Sequence, residues 1–400
     1  MKIRLFNQDE GYYIPSFMYI SISEHIDMQE FEENSSEIKG TFIHEYCHYL
    51  QDISTTYGYN KFICVFQDLL YGLFPNQYEQ QNKELQWNKD FLSLHTGTEK
   101  LNEIIICINS VQIINNPLCE EIESEMNSQC VIVGYNGCKE FEFGNHCIIE
   151  GMAYLVEKQL YDVREPDNEF PYRICKMICE KEYNEFAQNE IHIIALCELA
   201  LLESYSAVFF IKALRLMKEN HFLPRNVEEL EEFISNHFSI CFRGNRNNIV
   251  SLLDDAYPEV ITGFSEIKEW IITRFELGAI CREKSKCFIA LALSNKELRF
   301  NCWQQIMDGF GGPNIVVGCG ELLQGAYLND KEIDIRYMLA PMAIYMALHE
   351  NKPICPLINI CKQDKDANTL KKCKENFYEK KDEEYLCPVA LFCKIYNIER

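Results

Sequence analysis

The sequence predicts an α+β fold that is predominantly helical. Residues 2–6 and 13–23 alternate or run apolar, as short strands do. Beyond residue 173, most of the chain repeats apolar residues at helical spacing. Between these parts, Asn136-Gly137 joins two apolar segments, which is the strongest short signal for a β-hairpin. We therefore expect a small N-terminal β-sheet and a large helical remainder.

Composition narrows the classes of partner. The chain has 400 residues, of which 47% are hydrophobic, so it is long enough to bury a large core. Its formal net charge is −23, which would repel a nucleic-acid backbone or an anionic membrane surface. We therefore expect no nucleic-acid partner and no membrane partner.

Cysteine usage indicates the compartment. The chain has 20 cysteines, which are scattered without the regular spacing of a disulfide framework, and it is large enough to fold without stabilising disulfides. Any apolar run after the N-terminus is broken by Asn7-Gln8-Asp9-Glu10, so no signal peptide is expected. Free thiols in a cytoplasmic protein are the prediction.

The segment from residue 40 to residue 58 contains the pattern His-Glu-x-x-His. Four residues advance a helix by a little over one turn, so His44 and His48 would lie on one face. Two imidazoles at that spacing can bind one metal ion. Glu45 lies beside them, where it can act on a metal-bound water without being a ligand.

The residues around this pattern predict a helix. Asn34 followed by Glu37 resembles a capping box, and Gly58 is a plausible C-terminal stop. Apolar residues recur at helical spacing on one stripe, and polar residues form another. The apolar stripe is Ile38, Phe42, Tyr46, Tyr49, Ile53 and Tyr57; the polar stripe is Thr41, His44, His48, Asp52 and Thr55.

A second segment, residues 145–157, follows the predicted hairpin. Asn145 is a candidate helix cap, and apolar residues recur along one face. Glu150 lies in this otherwise apolar helix, and burying its carboxylate is costly unless a cation or a metal ion pairs with it.

These two segments together resemble the zinc metallopeptidases called gluzincins. The resemblance consists of the His-Glu-x-x-His helix and a downstream helix reading Glu-Gly-x-Ala-x-x-x-Glu. It implies a zincin-like helix pair in which His44, His48 and Glu150 bind Zn2+ and Glu45 is the catalytic base. Glu157 and Asp52 are candidates for orienting the imidazoles.

Two assignments stay open. Rivals for the third ligand are His146, Glu142, Glu198 and Glu203. Gluzincin-like enzymes commonly use a Tyr or His to stabilise the oxyanion, and the candidates are Tyr154, Tyr205, Tyr257 and His192. For Glu198 and Glu203, a structural role with a nearby partner is favoured.

Residues 164–172 contain Pro166 and Pro171 and predict a linker. We expect a metallopeptidase core at 1–165, a helical domain at 173–350 and a cysteine-containing tail at 351–400. Further helices are predicted at residues 60–73, 77–94, 99–114, 184–220, 227–238, 247–257, 261–281, 285–294 and 332–349.

Two other motifs suggest ordinary structure. Residues 308–320 are rich in glycine but lack the pattern of a phosphate loop, so a connection or a lid is expected. Cys355, Cys361, Cys387 and Cys393 form a small repeat without the spacing of a zinc knuckle. Free cysteines are the preferred interpretation.

The expected function is hydrolysis of peptide bonds in a protein or peptide substrate. The activity of a cytosolic protease must be controlled, so we expect a regulatory protein partner in addition to the substrate. Two alternatives remain: a non-catalytic helical binding or scaffold protein with structural metal or none, and a metal-dependent hydrolase of a small molecule. A long groove beside a strand edge would favour the peptidase, and a narrow apolar pocket the small-molecule hydrolase.

Overall fold

The computed structural model describes most of the chain between residues 11 and 398. Outside the described part lie residues 1–10, 24–25, 27–30, 76–88, 91, 94, 116–128, 162, 164, 167, 245, 258, 260, 318–321, 325, 329–330, 351–354, 356, 359–370, 372, 374, 376–386 and 399–400. The strand predicted at 2–6 and most of the helix predicted at 77–94 therefore fall outside the described residues.

Helices dominate the described chain, and short strands accompany them. The helices are α1 (Ser36–Ser54), α2 (Thr56–Leu73), α3 (Asn145–Leu160), α4 (Ile174–Glu182), α5 (Asn184–Ala187), α6 (Glu190–Leu201), α7 (Ser206–Glu219), α8 (Val227–His237), α9 (Arg246–Ala256), α10 (Thr262–Lys284), α11 (Phe288–Ser294), α12 (Arg299–Phe310), α13 (Ile335–Glu350) and α14 (Pro388–Ile395). The strands are β1 (Gly11–Ile14), β2 (Tyr19–Ile22), β3 (Ile108–Asn115), β4 (Gln129–Tyr135), β5 (Lys139–Phe143), β6 (Asn314–Val317), β7 (Leu322–Gln324), β8 (Ala326–Leu328) and β9 (Lys331–Ile333). The predicted α+β, predominantly helical class is confirmed.

The sheet that contains the N-terminal strands also contains strands from residues beyond 310. Its order is β1-β2-β6-β7. β1 and β2 are antiparallel, β6 lies parallel to β2, and β7 is antiparallel to β6. The prediction of a purely N-terminal sheet was therefore incomplete, because the glycine-rich segment 308–320 supplies a strand. Gly318 and Gly320 of that segment lie outside the described residues.

A second sheet has the order β3-β4-β5. The predicted hairpin is confirmed: β4 and β5 are antiparallel, and Asn136 and Gly137 both have positive φ, as a type I′ turn requires. The helix predicted at 99–114 was wrong, because its second half is β3. The spacing of its apolar residues is compatible with a helix or a strand, and antiparallel pairing with β4 makes this segment a strand.

The ends of α1 differ from the predicted ones by a few residues. Ser35, rather than Asn34, caps the helix by accepting a hydrogen bond from the backbone N–H of Ile38. The helix ends at Ser54, and Gly58 lies in the first turn of α2 instead of stopping α1. Thr55 caps α2 by accepting from the N–H of Gly58 at 3.0 Å.

The long helix predicted at 184–220 is divided into α5, α6 and α7. Asn189 caps α6 through its side chain, which accepts from the N–H of Ile191. α6 ends at Leu201, and a turn reverses the chain before α7 begins at Ser206. Apolar periodicity continues across both breaks because all three helices face the same core, so the pattern hid the boundaries. The helices predicted in the regions of α2, α8, α9, α10, α11 and α13 are confirmed, with shifted ends.

The metal-motif helix α1 lies inside the molecule. It packs against α2, α3 and α10 and against β1 and β2. Its apolar residues join one continuous core that reaches from Ile14 to Ile398. His44 and Glu45 are buried as well, so the polar stripe of α1 faces the interior beside α3 rather than solvent. In the described chain, no helix is both long enough and apolar enough to cross a membrane.

Candidate metal centre

Close packing of α1 against α3 brings the two predicted segments together. Gly40 lies one turn before His44 on α1. A Cβ built on Gly40 would lie 2.7 Å from Oε1 of Glu157 and 2.6 Å from a methyl carbon of Val163. Only glycine permits this approach, which lets the carboxylates of α3 reach the imidazoles of α1.

Two imidazoles and one carboxylate converge between these helices. Oε2 of Glu150 lies 3.2 Å from Nε2 of His44 and 3.5 Å from Nε2 of His48. One ligand atom from each of the three residues lies within 4.8 Å of the other two. Among the described residues, this is the group of His, Cys, Asp and Glu side chains that could hold a metal ion.

Two of the three donor separations fit a tetrahedral ion. Zinc bonds of about 2.1 Å in tetrahedral geometry separate two ligand atoms by about 3.4 Å. The two distances to the Glu150 oxygen, 3.2 and 3.5 Å, lie on either side of that value. Neutral imidazole nitrogens with a carboxylate oxygen are a donor set that zinc accepts.

The far side of each imidazole is also held. Nδ1 of His44 lies 3.1 Å from Oε2 of Glu157, and Nδ1 of His48 lies 2.9 Å from Oε1 of Gln51. Nε2 of Gln51 donates to the carbonyl of Ile149 on α3. Both acceptors favour a proton on Nδ1, which leaves the lone pair of each Nε2 for a metal ion. Gln51 was missed from the sequence, although its position three residues after His48 places it on the same helix face.

Burial and charge shift the pKa values of the group. Burial lowers the pKa of His44, but hydrogen bonds to Glu150 and Glu157 outweigh this and hold it well above the usual value. Burial raises the pKa of Glu150, but the charge of His48 and hydrogen bonds to both imidazoles bring it well below the usual value. Without a metal ion, the ionised carboxylate therefore favours protonated imidazoles, and a cation that binds here replaces the protons on the two Nε2 atoms.

Glu45 lies next to the group without belonging to it. It is buried, and no described His or Lys forms an ion pair with it. Burial raises the pKa of its carboxyl, and the charges of His48 and His44 offset part of that shift. A carboxylate with a raised pKa is better matched to accepting and returning a proton near neutrality.

The rivals for the third ligand lie elsewhere or have other partners. His146 lies one turn before Glu150 on α3, with its ring 6.1 Å from that of Phe170, and it is not part of the three-residue group. Glu142 lies on β5. Glu203 pairs with Arg243 at 3.1 Å. Glu198 is fully buried against Arg282 and accepts from the N–H groups of Ile289 and Ala290, as the structural interpretation predicted.

Asp52 does not orient an imidazole. Its Oδ2 accepts hydrogen bonds from the hydroxyl of Tyr13 at 3.0 Å and from the N–H of Ser16 at 2.6 Å. It therefore ties α1 to the β1–β2 connection, and the prediction of an orienting role was wrong for Asp52. For Glu157, the hydrogen bond to His44 is the expected one.

The four candidates for the oxyanion donor have other contacts. Tyr257 donates to the carbonyl of Met338 in the core, and Nε2 of His192 contacts Asn189. The ring of Tyr205 packs on His95, and Tyr154 donates to Glu165 at 2.8 Å. No sequence motif pointed to Tyr172, whose ring lies 5.8 Å from that of His44.

No disulfide joins the cysteines of the described chain, which agrees with the prediction that the thiols are not paired in disulfides. Cys355, Cys387 and Cys393 of the tail are among them, whereas Cys361 lies outside the described residues. Comparisons with protein-family models, with curated proteins and with solved structures find no match to this chain. Function must therefore be argued from the site itself.

Proposed function

We propose that the protein is a zinc-dependent metallopeptidase that hydrolyses peptide bonds of a protein or peptide. The observation that carries the proposal is the convergence of His44, His48 and Glu150, with the non-ligand Glu45 beside them on α1. The similarity of this arrangement to gluzincins supports it.

Each residue has a distinct task in this proposal. A zinc ion held by His44, His48 and Glu150 would polarise the scissile carbonyl and make water more acidic. Glu45 accepts the proton of the attacking water and returns it to the leaving amine. Glu157 and Gln51 hold the two imidazoles with Nε2 directed at the ion.

An edge strand beside Glu45 supports a peptide substrate. In the described part of the sheet, β1 lies at the border and pairs with β2 alone. A Cβ built on Gly11 would lie 3.4 Å from Cγ of Glu45, so β1 passes next to the general base. An extended peptide can add to such an edge through main-chain hydrogen bonds. We further propose a reducing cytosol as the compartment, because no disulfide joins the described cysteines.

The test compares the zinc-loaded wild type with Glu45→Gln. Both proteins are incubated with a denatured proteome, new N-termini are labelled, and the zinc content of each protein is measured by elemental analysis. We expect both to hold one zinc ion per chain. Cleavage by Glu45→Gln should fall by about 10²–10⁴-fold, because general-base catalysis is lost. Chelator-treated wild type should also lose cleavage.

Two results would contradict the proposal in different ways. Full activity in Glu45→Gln would remove Glu45 from the mechanism. A zinc-loaded wild type that cleaves no peptide bond would favour the scaffold protein or the hydrolase of a small molecule.

A further inference from the structure

A large cavity lies next to the metal centre and shares a wall with it. The space beside His48 and Glu150 is small, about 100 Å³, and is also lined by Tyr57 and Lys61 of α2. The same two residues line a second cavity of about 650 Å³, which extends between α2 and the segment around residues 89–99. Tyr57 and Lys61 therefore lie between the metal centre and the larger space.

Lys61 is the cation at the junction of these two spaces. Its side chain is half-buried, and its Nζ lies 5.6 Å from the ring centroid of Tyr57, which holds it by a cation–π contact. No described carboxylate lies within 4.0 Å of its ammonium group, although the protein is strongly acidic. The charge of Lys61 offsets part of the rise that burial causes in the pKa of Asp52, but no described carboxylate contacts the ammonium, which can still bind a contacting anion.

Acidic side chains line both spaces as well: Asp52 lies in the small one, and Asp68, Asp90 and Glu99 lie in the large one. Asp52 accepts from Tyr13 and from the backbone of Ser16. Asp68, deeper in the large cavity, pairs with Lys89 at 2.5 Å. The two charges of that pair compensate each other, so among the described lining residues Lys61 is the lysine that has no carboxylate within 4.0 Å.

We propose that Lys61 selects substrates that carry a carboxylate, which enters the junction while the scissile bond lies at the metal centre. This inference deepens the proposed function and depends on it for the identity of the ligand as a peptide. The carboxylate has two possible sources: an acidic side chain near the scissile bond, or the free C-terminus of the peptide. Both would form a charge-assisted hydrogen bond with Nζ of Lys61.

The experiment measures binding, so that it does not require turnover. Zinc-loaded Glu45→Gln is used to select from two random decapeptide libraries, one with free and one with amidated C-termini, and the bound peptides are sequenced. The same selection is made with Glu45→Gln carrying Lys61→Met or Lys61→Glu. Lys181→Met, a change at an exposed lysine of α4, is the matched control. Zinc content and melting temperature are recorded for each variant.

We expect Glu45→Gln to enrich peptides with Asp or Glu at one position, or peptides with free C-termini. Lys61→Met should weaken the binding of a selected peptide by about tenfold or more, the loss expected for one hydrogen bond between charged groups. Lys61→Glu should replace the acidic preference by Lys or Arg, and Lys181→Met should change nothing. Enrichment only in the library with free C-termini would identify the terminal carboxylate as the ligand.

An unchanged preference in zinc-loaded, folded Lys61→Met would overturn the inference, as would the absence of any enrichment of carboxylates. Failure of the proposed function would look different, because peptides would then be selected through Lys61 while the wild type cleaved none of them.

Discussion

At the scale of single residues, the candidate site depends on how the two imidazoles are oriented. Each Nε2 faces Glu150, and each Nδ1 faces a side chain behind it: Glu157 for His44 and Gln51 for His48. An imidazole held on both sides loses little further freedom when it binds an ion. Most of the preorganisation of the site therefore lies outside the three proposed ligands.

Removing the carboxylate behind His44 should weaken zinc binding. We predict that Glu157→Ala lowers zinc affinity by about 10–100-fold, because Nδ1 of His44 loses its acceptor. Competition with a chromophoric chelator measures this. Glu232→Ala, on the exposed face of α8, is the control and should leave affinity unchanged. Equal affinity in both variants would show that Glu157 does not orient His44.

Some of the side chains around the two imidazoles could be predicted from the sequence, and others could not. The nearness of Glu150 to His44 and His48 follows from two motifs whose residue types and helical spacing are specific. Gln51 carried no such signal, because an amide on a helix is usually solvated, and its role depends on the carbonyl of Ile149 on α3. The role of Asp52 was mispredicted because its partners, Tyr13 and Ser16, are distant in the sequence and no local pattern indicates their contact with α1.

At the scale of elements, the distance between α1 and α3 decides whether a site forms. The two helices approach closely at Gly40, and Glu157 is its neighbour across the interface. The position of one glycine is thus linked to the hydrogen bond of His44 one turn later.

A methyl group at this contact should damage both packing and zinc binding. We predict that Gly40→Ala lowers zinc affinity by at least about tenfold and destabilises the fold by about 1–3 kcal/mol, the usual cost of overpacking. Gly309→Ala is the matched control, because a Cβ there meets nothing within 4 Å. In a helix this control should be neutral or stabilising by up to about 1 kcal/mol. Urea unfolding and zinc titration measure both effects, and identical behaviour of the two variants would contradict the account.

Element types could be predicted where the local signal agreed with the tertiary context. The hairpin around Asn136-Gly137 and the helical periodicity of α8 to α10 are examples. β3 could not be predicted, because its pairing with β4 determines it. The breaks on either side of α6 could not be predicted either, because the helices on both sides are buried against the same core. β6 was hidden in a glycine-rich segment because its partner, β2, lies almost 300 residues earlier in the chain.

At the scale of the whole molecule, a buried ion pair joins the core of α1 to the C-terminal helices. Arg282 of α10 pairs with Glu198 of α6 and donates to the carbonyl and the hydroxyl of Ser54 at the end of α1. Glu198 also accepts from the backbone at the start of α11. Four helices therefore meet at one pair of charges.

Neutralising one member of this pair should destabilise the entire fold. We predict that Glu198→Gln lowers the free energy of unfolding by about 3–5 kcal/mol, because it leaves the guanidinium of Arg282 buried without its counter-charge. Urea unfolding monitored by circular dichroism measures the loss. Arg225→Ala, which removes an exposed ion pair on the surface, should change stability little. A small effect of Glu198→Gln would mean that the pair does not hold these helices together.

Anomalous diffraction at the zinc edge, from crystals of the zinc-loaded protein, tests the proposed metal centre most directly. We predict one ion, bonded at about 2.0–2.2 Å to Nε2 of His44, Nε2 of His48 and a carboxylate oxygen of Glu150, with a fourth position open to solvent. An ion closed off by a fourth protein ligand such as His146, or no ion between α1 and α3, would contradict it.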